Sequence, residues 1–177
     1  MSNSGSVSPD QEPLEIERKF LIRMPRAERL CRESTRRIEI RQVYLHRGAA
    51  EGSRRVRRSR TEGDERWYFT EKIHLTDRKR IEREREISPE EAQTLLLQAD
   101  EKLHAIEKTR WCVPYAGHTL EIDIFPFWAD RAFLEAELSA EDEELRLPDW
   151  VEVIREVTED RRYTNLALAA EIPEETI

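Results

Sequence analysis

Along most of this chain apolar and polar side chains alternate residue by residue, in short runs separated by turn formers, which is the periodicity of half-buried strands. The run at 14–22 sets the pattern. Leu14, Ile16, Phe20 and Ile22 fall on one face and Glu15, Glu17 and Lys19 on the other, with Arg18 the one polar interruption of the apolar side. Further strands are predicted over 38–45, 53–60, 67–73, 80–87, 105–113, 119–125 and 132–138, with turns at 48–52 and at Gly63 and Asp64. The string at 80–87 also fits a helical ladder of ion pairs, and its neighbour favours the strand: Ser88-Pro89-Glu90-Glu91 carries the cap, the N1 proline and the box glutamate of a new helix. That helix is predicted to run to about Leu103, with Ala92, Leu95, Leu96, Ala99 and Leu103 inward. A short helical stretch after Pro25, with Ala27, Leu30 and Cys31 on one side, a helix over 148–157 carrying Trp150 and Ile154, and a short apolar helix ending at Ala170 complete the elements. Residues 1–12 are Ser/Gly-rich with little to bury, so they read as a flexible tail ahead of a single domain over 13–177.

The polar faces are charged, and that changes the picture. Of 177 residues 38% are charged, 30 Lys and Arg against 38 Asp and Glu, so the net charge of -8 hides many arginines and any basic surface must be local. Arg55 and Arg57 share one strand face and Arg54 and Arg58 the other; Tyr68, Thr70 and Lys72 share a face; Arg80, Glu82, Glu84 and Glu86 share a face. Lys108 pairs with Arg110, Glu121 with Asp123 and Glu135 with Glu137 in the same way. The two cysteines, Cys31 and Cys112, form no spaced cluster, which suits a reducing compartment and a role as small apolar fillers. With no apolar run of spanning length and no apolar signal core, the expected location is cytoplasmic.

About eight strands of this kind form either an open sheet with wet charges or a closed antiparallel barrel with helices outside and the charged faces turned inward. In the second case the lumen would hold Glu15, Glu17, Lys19, Arg55, Arg57, Lys72, Arg80, Glu82, Glu84, Lys108 or Arg110, Asp123, Glu135 and Glu137. Charges in that number demand partners. A ligand that uses both signs is a polyphosphate carrying Mg²⁺ or Mn²⁺, with carboxylate oxygens on the hard cation and Arg and Lys on the phosphate oxygens. The same rows also read as a decorated sheet surface.

The succession Glu15-x-Glu17-x-Lys19, Arg55-x-Arg57, Thr70-x-Lys72, Glu82-x-Glu84, Glu107-Lys108-Thr109-Arg110, Glu121-x-Asp123, Glu135-x-Glu137 and Asp160-x-x-Tyr163-x-Asn165 resembles, in order and spacing over 14–168, the CYTH or triphosphate tunnel metalloenzyme superfamily. That superfamily includes class IV adenylate cyclases, thiamine triphosphatases and inorganic triphosphatases. The resemblance implies an α+β fold, an eight-stranded antiparallel tunnel with helices on the outside, and divalent-metal-dependent attack on a triphosphate. It implies metal ligands at Glu15, Glu17, Asp123, Glu135 and Glu137, with Glu15, Glu17, Lys19 and Glu137 central to catalysis. Phosphate contacts would come from Lys19, Arg55, Arg57, Lys72, Arg80, Lys108, Arg110 and Arg161, and support from Glu82, Glu84 and Glu121. One departure is that Arg161 stands where close relatives often carry a lysine, and arginine does not readily give up a proton.

The expected activity is therefore hydrolysis of inorganic triphosphate or a related triphosphate with Mg²⁺ or Mn²⁺. The alternatives are a class IV-type adenylate cyclase and a non-catalytic polyphosphate or nucleotide binding module. The expected partner is a small-molecule triphosphate, with no membrane and no nucleic acid, and a homodimer is left open. His46, His74, His104 and His118 are scattered and receive no role, and Trp67 and Trp111 are expected on the outer face or in the core.

Overall fold

A computed structural model describes the backbone of residues 14–47, 52–74 and 80–177, and the side chains of 16–47, 52–73 and 82–177. The tail at 1–12 and most of the turn at 48–52 lie outside them. The elements run β1 (Leu14–Arg23), α1 (Ala27–Glu33), β2 (Arg36–Leu45), β3 (Ser53–Thr61), β4 (Asp64–His74), β5 (Arg80–Ile87), α2 (Pro89–Leu96), β6 (Ile106–Tyr115), β7 (His118–Ile124), β8 (Arg131–Leu138), β9 (Val153–Glu156), a 3₁₀ turn (Arg161–Tyr163) and α3 (Asn165–Ala170). All strand pairings are antiparallel, in the order β5-β4-β3-β2-β6-β7-β8-β1-β9. β5 meets β1 again over Leu14↔Ile81 and Glu15↔Arg80, so the sheet curves round on itself as an antiparallel barrel, as expected.

The barrel expectation needs one strand more. β9 pairs with β1 at Phe20, Leu21 and Ile22, giving nine strands, and it occupies part of the stretch predicted as a helix over 148–157. Two causes overrule the helix. Val151, Val153, Ile154 and Val157 are β-branched and stiff at χ1, and the edge of β1 beyond Glu15 needs a ladder partner. Arg18 fastens the pairing by donating two bonds to the Glu156 carboxylate, at 2.9 and 2.7 Å.

Glycine is required at two places. Gly52 has φ 141°, and a Cβ there would lie 1.9 Å from the Lys72 carbonyl oxygen. Gly63 has φ 79° in the tight turn that sends β3 back as β4.

α2 begins as predicted, with the Ser88 hydroxyl accepting from the Glu91 amide at 3.1 Å, but it ends at Leu96 and not near Leu103. The chain leaves the helix to pair with the end of β2: His46 N–H donates to the Gln98 carbonyl at 2.8 Å and Asp100 N–H to the Tyr44 carbonyl at 3.0 Å. α1 buries only Leu30, and Cys31 is exposed; a helix of two turns has depth for one side chain, so only Cys112 is the buried filler expected of both cysteines.

Because side chains alternate across each strand, the barrel has an outer and an inner set. Outside, Phe20, Ile22, Leu120, Ile122 and Leu134 pack under Leu30 of α1 and the segment carrying Leu145 to Val151. α2 covers Leu45, Val56, Phe69 and Ile87 with Ala92. Inside, one end is filled by Leu21, Tyr44, Ile106, Phe125, Trp128, Phe133, Val157 and Tyr163, against which α3 sets Leu168 and Ala169. The rings meet edge to face, Phe125 to Phe133 at 5.4 Å and Trp128 to Phe133 at 5.1 Å between centroids. An apolar plug thus closes one end, and the polar lumen begins directly above it, where the Lys19 ammonium sits 4.0 Å from the Phe133 ring centre.

Candidate active site

Strand register explains how the charged rows meet. β1 places Glu17 opposite Glu137 and Lys19 opposite Glu135; β7 places Glu121 opposite Glu135; β6 places Arg110 opposite Asp123; β4 places Lys72 opposite Glu82 and Thr70 opposite Glu84. Ten of the predicted residues, Glu17, Lys19, Arg55, Arg57, Lys72, Glu82, Lys108, Arg110, Glu121 and Glu135, line one cavity of about 180 Å³. Arg57, Arg110 and Glu121 also face a wider compartment of about 850 Å³, where Glu84 joins them with Arg36, Ile38, Ile40, Arg66 and Tyr68.

Within the narrow cavity the charges are paired in depth. Lys108 Nζ lies 2.5 Å from Asp123, and Arg110 donates to Asp123 through Nε at 2.7 Å and through a terminal nitrogen at 2.8 Å. The same guanidinium reaches Glu135 at 3.0 Å and Glu121, and Lys19 closes on Glu135 at 2.8 Å. Burial pulls Lys108 down to about 8, against the opposing pull of Asp123. Burial alone would raise Glu135, but Lys19, Lys108 and Arg110 outweigh it and hold this carboxyl well below the usual range. Asp123 is lowered for the same reason by Arg110 and Lys108, while Glu121, where burial prevails over Arg110, is raised.

On the other wall Arg55 reaches Glu82 at 3.4 Å, Lys72 reaches it at 2.5 Å, and Arg57 donates to Glu84 at 2.7 Å, with the Thr70 hydroxyl donating to the same carboxylate at 2.7 Å. The Nε atoms of Arg55 and Arg57 are buried and have no hydrogen-bond partner among the described residues. Each is a cationic donor without an acceptor.

The remaining predicted residues are spread out. Asp123 is fully enclosed behind Lys108 and Arg110 and does not face the cavity. Glu137 is exposed, one strand-repeat beyond Glu135 on the same face. Arg161 is exposed on the 3₁₀ turn and lines neither cavity; the three-residue repeat of that turn presents Asp160 and Tyr163 to the narrow one. The side chains of Glu15 and Arg80 lie outside the described residues.

Sequence reasoning missed Gln42 and Tyr44, which donate and accept across 3.2 Å beneath Arg55, and Ser53, Thr158 and Thr164 of the same lining. Gln42 and Tyr44 continue the inward face of β2, but a search for charge passes over them. Burial raises the Tyr44 phenol and the nearby Arg55 opposes it.

The donors available to a divalent cation are hard carboxylate oxygens. Glu17 and Glu137 stand directly opposite on neighbouring strands, where like charges destabilise unless a cation lies between them. Among the described residues no three acidic side chains converge on one point. Mg²⁺ asks for less, since it commonly takes one or two carboxylates together with substrate phosphates, so the residues present fit it.

Among curated proteins none matches the chain. Among solved structures, it is similar to the inorganic triphosphatase NE1496, with 30% identity, 90% of this chain and 97% of that one covered, and a TM-score of 0.56. It is similar to the PH1012 protein from Pyrococcus horikoshii OT3 at 25% identity over 71% of this chain and 80% of that one, TM-score 0.51. It shares its fold with HpAC1 from Hippeastrum, an adenylyl cyclase candidate with a dominant triphosphatase activity, at 15% identity over 71% and 80% of the two chains, TM-score 0.50. The model of the CYTH domain matches residues 13–164, which take in every strand of the barrel, and the chain therefore belongs to the CYTH domain family.

Proposed function

We propose that this protein hydrolyses inorganic triphosphate, or a closely related triphosphate, with Mg²⁺ or Mn²⁺ inside the barrel. The observation that carries the reading is the convergence of Lys19, Arg55, Arg57, Lys72, Lys108 and Arg110 with carboxylates on one narrow cavity. Phosphate oxygens are the acceptors that match clustered guanidinium and ammonium groups in charge and geometry. The 30% identity with an inorganic triphosphatase supports the same substrate class.

In this reading Glu17 and Glu137, with Glu15 and Glu135 beside them in the rows, hold the cation, which when bound would offset charge on the phosphate oxygens and acidify a water. Arg55, Arg57, Lys72 and Lys19 bind the phosphate oxygens and stabilise charge as it moves from the attacked phosphorus to the leaving group. Arg110 and Lys108 stand one step back, fixed on Asp123 and holding Glu135 ionised. No covalent enzyme intermediate is required.

A second reading, cyclisation of ATP, is favoured by one feature. The wide compartment carries Ile38, Ile40 and Tyr68 beside its arginines, an apolar wall suited to a base.

Phosphate release from inorganic triphosphate, ATP and thiamine triphosphate, each with Mg²⁺, Mn²⁺ or EDTA, separates these. Metal-dependent release chiefly from inorganic triphosphate is expected, and Glu17→Gln or Glu137→Gln is expected to abolish it with the fold retained. Cyclic AMP from ATP would replace the hydrolase reading with the cyclase one, and binding without turnover would reduce the site to a binding module.

A further inference from the structure

The stretch 157–166 belongs to no strand of the barrel, yet seven of its ten residues line the narrow cavity. It is a strap, fastened at both ends. At its start Val157 N–H donates to the Lys19 carbonyl at 2.8 Å and Lys19 N–H donates to the Thr158 hydroxyl at 3.0 Å. Beyond its far end α3 buries Leu168 and Ala169 in the apolar plug. Its middle is anchored by the segment that follows α3. There the Glu175 carboxylate accepts from the Tyr163 hydroxyl and, at 2.8 Å, from a terminal nitrogen of Arg155, while the Glu175 carbonyl accepts from Arg131 at 2.7 Å and Ile177 packs on the plug. Tyr163 is 1% exposed, and a phenol so enclosed needs an acceptor, which Glu175 supplies.

What this middle part carries is Asp160. Its carboxylate accepts from within its own turn, from the Arg162 amide at 3.2 Å and from the Arg162 guanidinium at 3.0 and 2.7 Å, so its aim is set by the turn and the place of the turn by Tyr163. Glu17 and Glu121 line the same cavity from β1 and β7 and keep their places without the strap, whereas Asp160 does not. Glu17, Thr158 and Asp160 also line a neighbouring cavity of about 430 Å³, so the strap together with Glu17 forms the wall that the two cavities share. The Arg155 and Glu175 side chains are 36% and 32% exposed, and an ion pair that wet adds little to stability. Its loss should therefore be read in the cavity more than in the melting temperature.

We propose that Glu175 is a positioning residue: through the Tyr163 hydroxyl it holds the Asp160–Tyr163 turn as a wall of the narrow cavity, on the side that the strands leave open. Glu175 touches no substrate. Its effect on turnover rests on the triphosphatase reading above.

The test sets Glu175→Leu, which removes the acceptor, beside Glu175→Gln, which keeps one, and Tyr163→Phe, which removes the donor and keeps the ring in the plug. Turnover of inorganic triphosphate is measured with the melting temperature and with hydrogen exchange of the Asp160 and Tyr163 amides, which close the turn on Val157 and Asp160. Glu175→Leu should speed that exchange about tenfold, lower kcat/KM about tenfold and shift the melting temperature by less than about 4 °C. Tyr163→Phe should do the same, and the double variant should fall no further than the larger single loss, as two groups acting as one unit require. Glu175→Gln should stay within about threefold of wild type, because the hydroxyl keeps its acceptor. Unchanged exchange in Glu175→Leu overturns the proposal, and so do faster exchange with wild-type kcat/KM, additive losses in the double variant, or Glu175→Gln as impaired as Glu175→Leu. Should Glu175→Leu fail to fold, Tyr163→Phe and Glu175→Gln carry the same decision. A wild-type protein that hydrolyses no triphosphate overturns the hydrolase reading and is seen before any variant is made; the exchange rates then still decide whether Glu175 holds the turn.

Discussion

On the wall formed by β6, β7, β8 and β1, Lys19, Lys108 and Arg110 close on Asp123 and Glu135 with side chains between 0% and 13% exposed, whereas on the β3, β4 and β5 wall Arg55, Arg57 and Lys72 lean on Glu82 and Glu84 at 9% to 28%. Both walls are built of the same residue types. On the first, every cation is matched to a carboxylate and the network is nearly dry. On the second, the pairs are wetter, and the Nε atoms of Arg55 and Arg57 have no partner among the described residues. The difference separates a wall closed largely on its own ion pairs from a wetter wall whose cations are more open to a ligand.

The largest effect should come from breaking the dry wall. Asp123→Asn leaves Lys108 and Arg110 buried around an uncharged group, and removal of one partner from a buried ion pair costs about 3–5 kcal/mol. Glu84→Gln on the wetter wall should cost about 1 kcal/mol, because its partners Arg57 and Thr70 keep an acceptor and some solvent. Urea midpoints of the two variants check this. Equal losses would erase the distinction between the walls.

Next in size is the loss of a spare donor. Arg55→Gln should lower kcat/KM for inorganic triphosphate about 10²–10³-fold, the usual consequence of removing one preorganised donor to a transition state, while Lys72 remains on Glu82 and stability changes little. Arg55→Lys should recover little of it, since a point charge does not reproduce the Nε fork. Near-complete recovery by lysine would mean that the wall supplies charge alone.

The rows behind this comparison were legible in the sequence because strands alternate strictly: once Lys19, Arg55, Asp123 and Glu135 are assigned to one face each, register brings them together. What the sequence concealed depends on tertiary context. β9 is a strand because β1 has an edge to cover, and nothing within 148–157 announces that edge. α2 ends early because Asp100 and Gln98 find backbone partners on β2. Arg161 fits the motif as a cation, yet the 3₁₀ turn presents Asp160 and Tyr163 inward in its place. Gln42 and Tyr44 lack charge, the one property by which the inward face of β2 could be read, so they became visible only in the folded barrel.

A smaller effect follows from Lys108. Its pKa of about 8 means that it carries +1 below that pH and is neutral above it, so the lumen loses one positive charge as pH rises through 8. Imidotriphosphate affinity, measured from pH 6.5 to 9.5, should therefore weaken up to about tenfold across that step. In Lys108→Arg, where the charge persists, the step should be absent. A step of equal size in both proteins would assign it to another group.

The smallest effect belongs to the outer face of the same strand that carries Arg55 and Arg57. Arg58 points the other way, 5.9 Å from the Trp67 ring centre, and stands opposite Arg41 across the β2–β3 ladder. Its cation–π contact is worth about 0.5–1 kcal/mol at a half-exposed site, and relief of the arginine pair offsets part of that. Arg58→Ser should thus change stability by less than about 1 kcal/mol and leave kcat/KM at the wild-type value, although the neighbouring Arg57→Ser lowers it strongly. Two adjacent arginines would then differ only in which side of one strand they occupy, and that is the property the barrel converts into a site. A comparable fall in kcat/KM for Arg58→Ser would mean that total positive charge on β3, and not the inward position, draws the substrate.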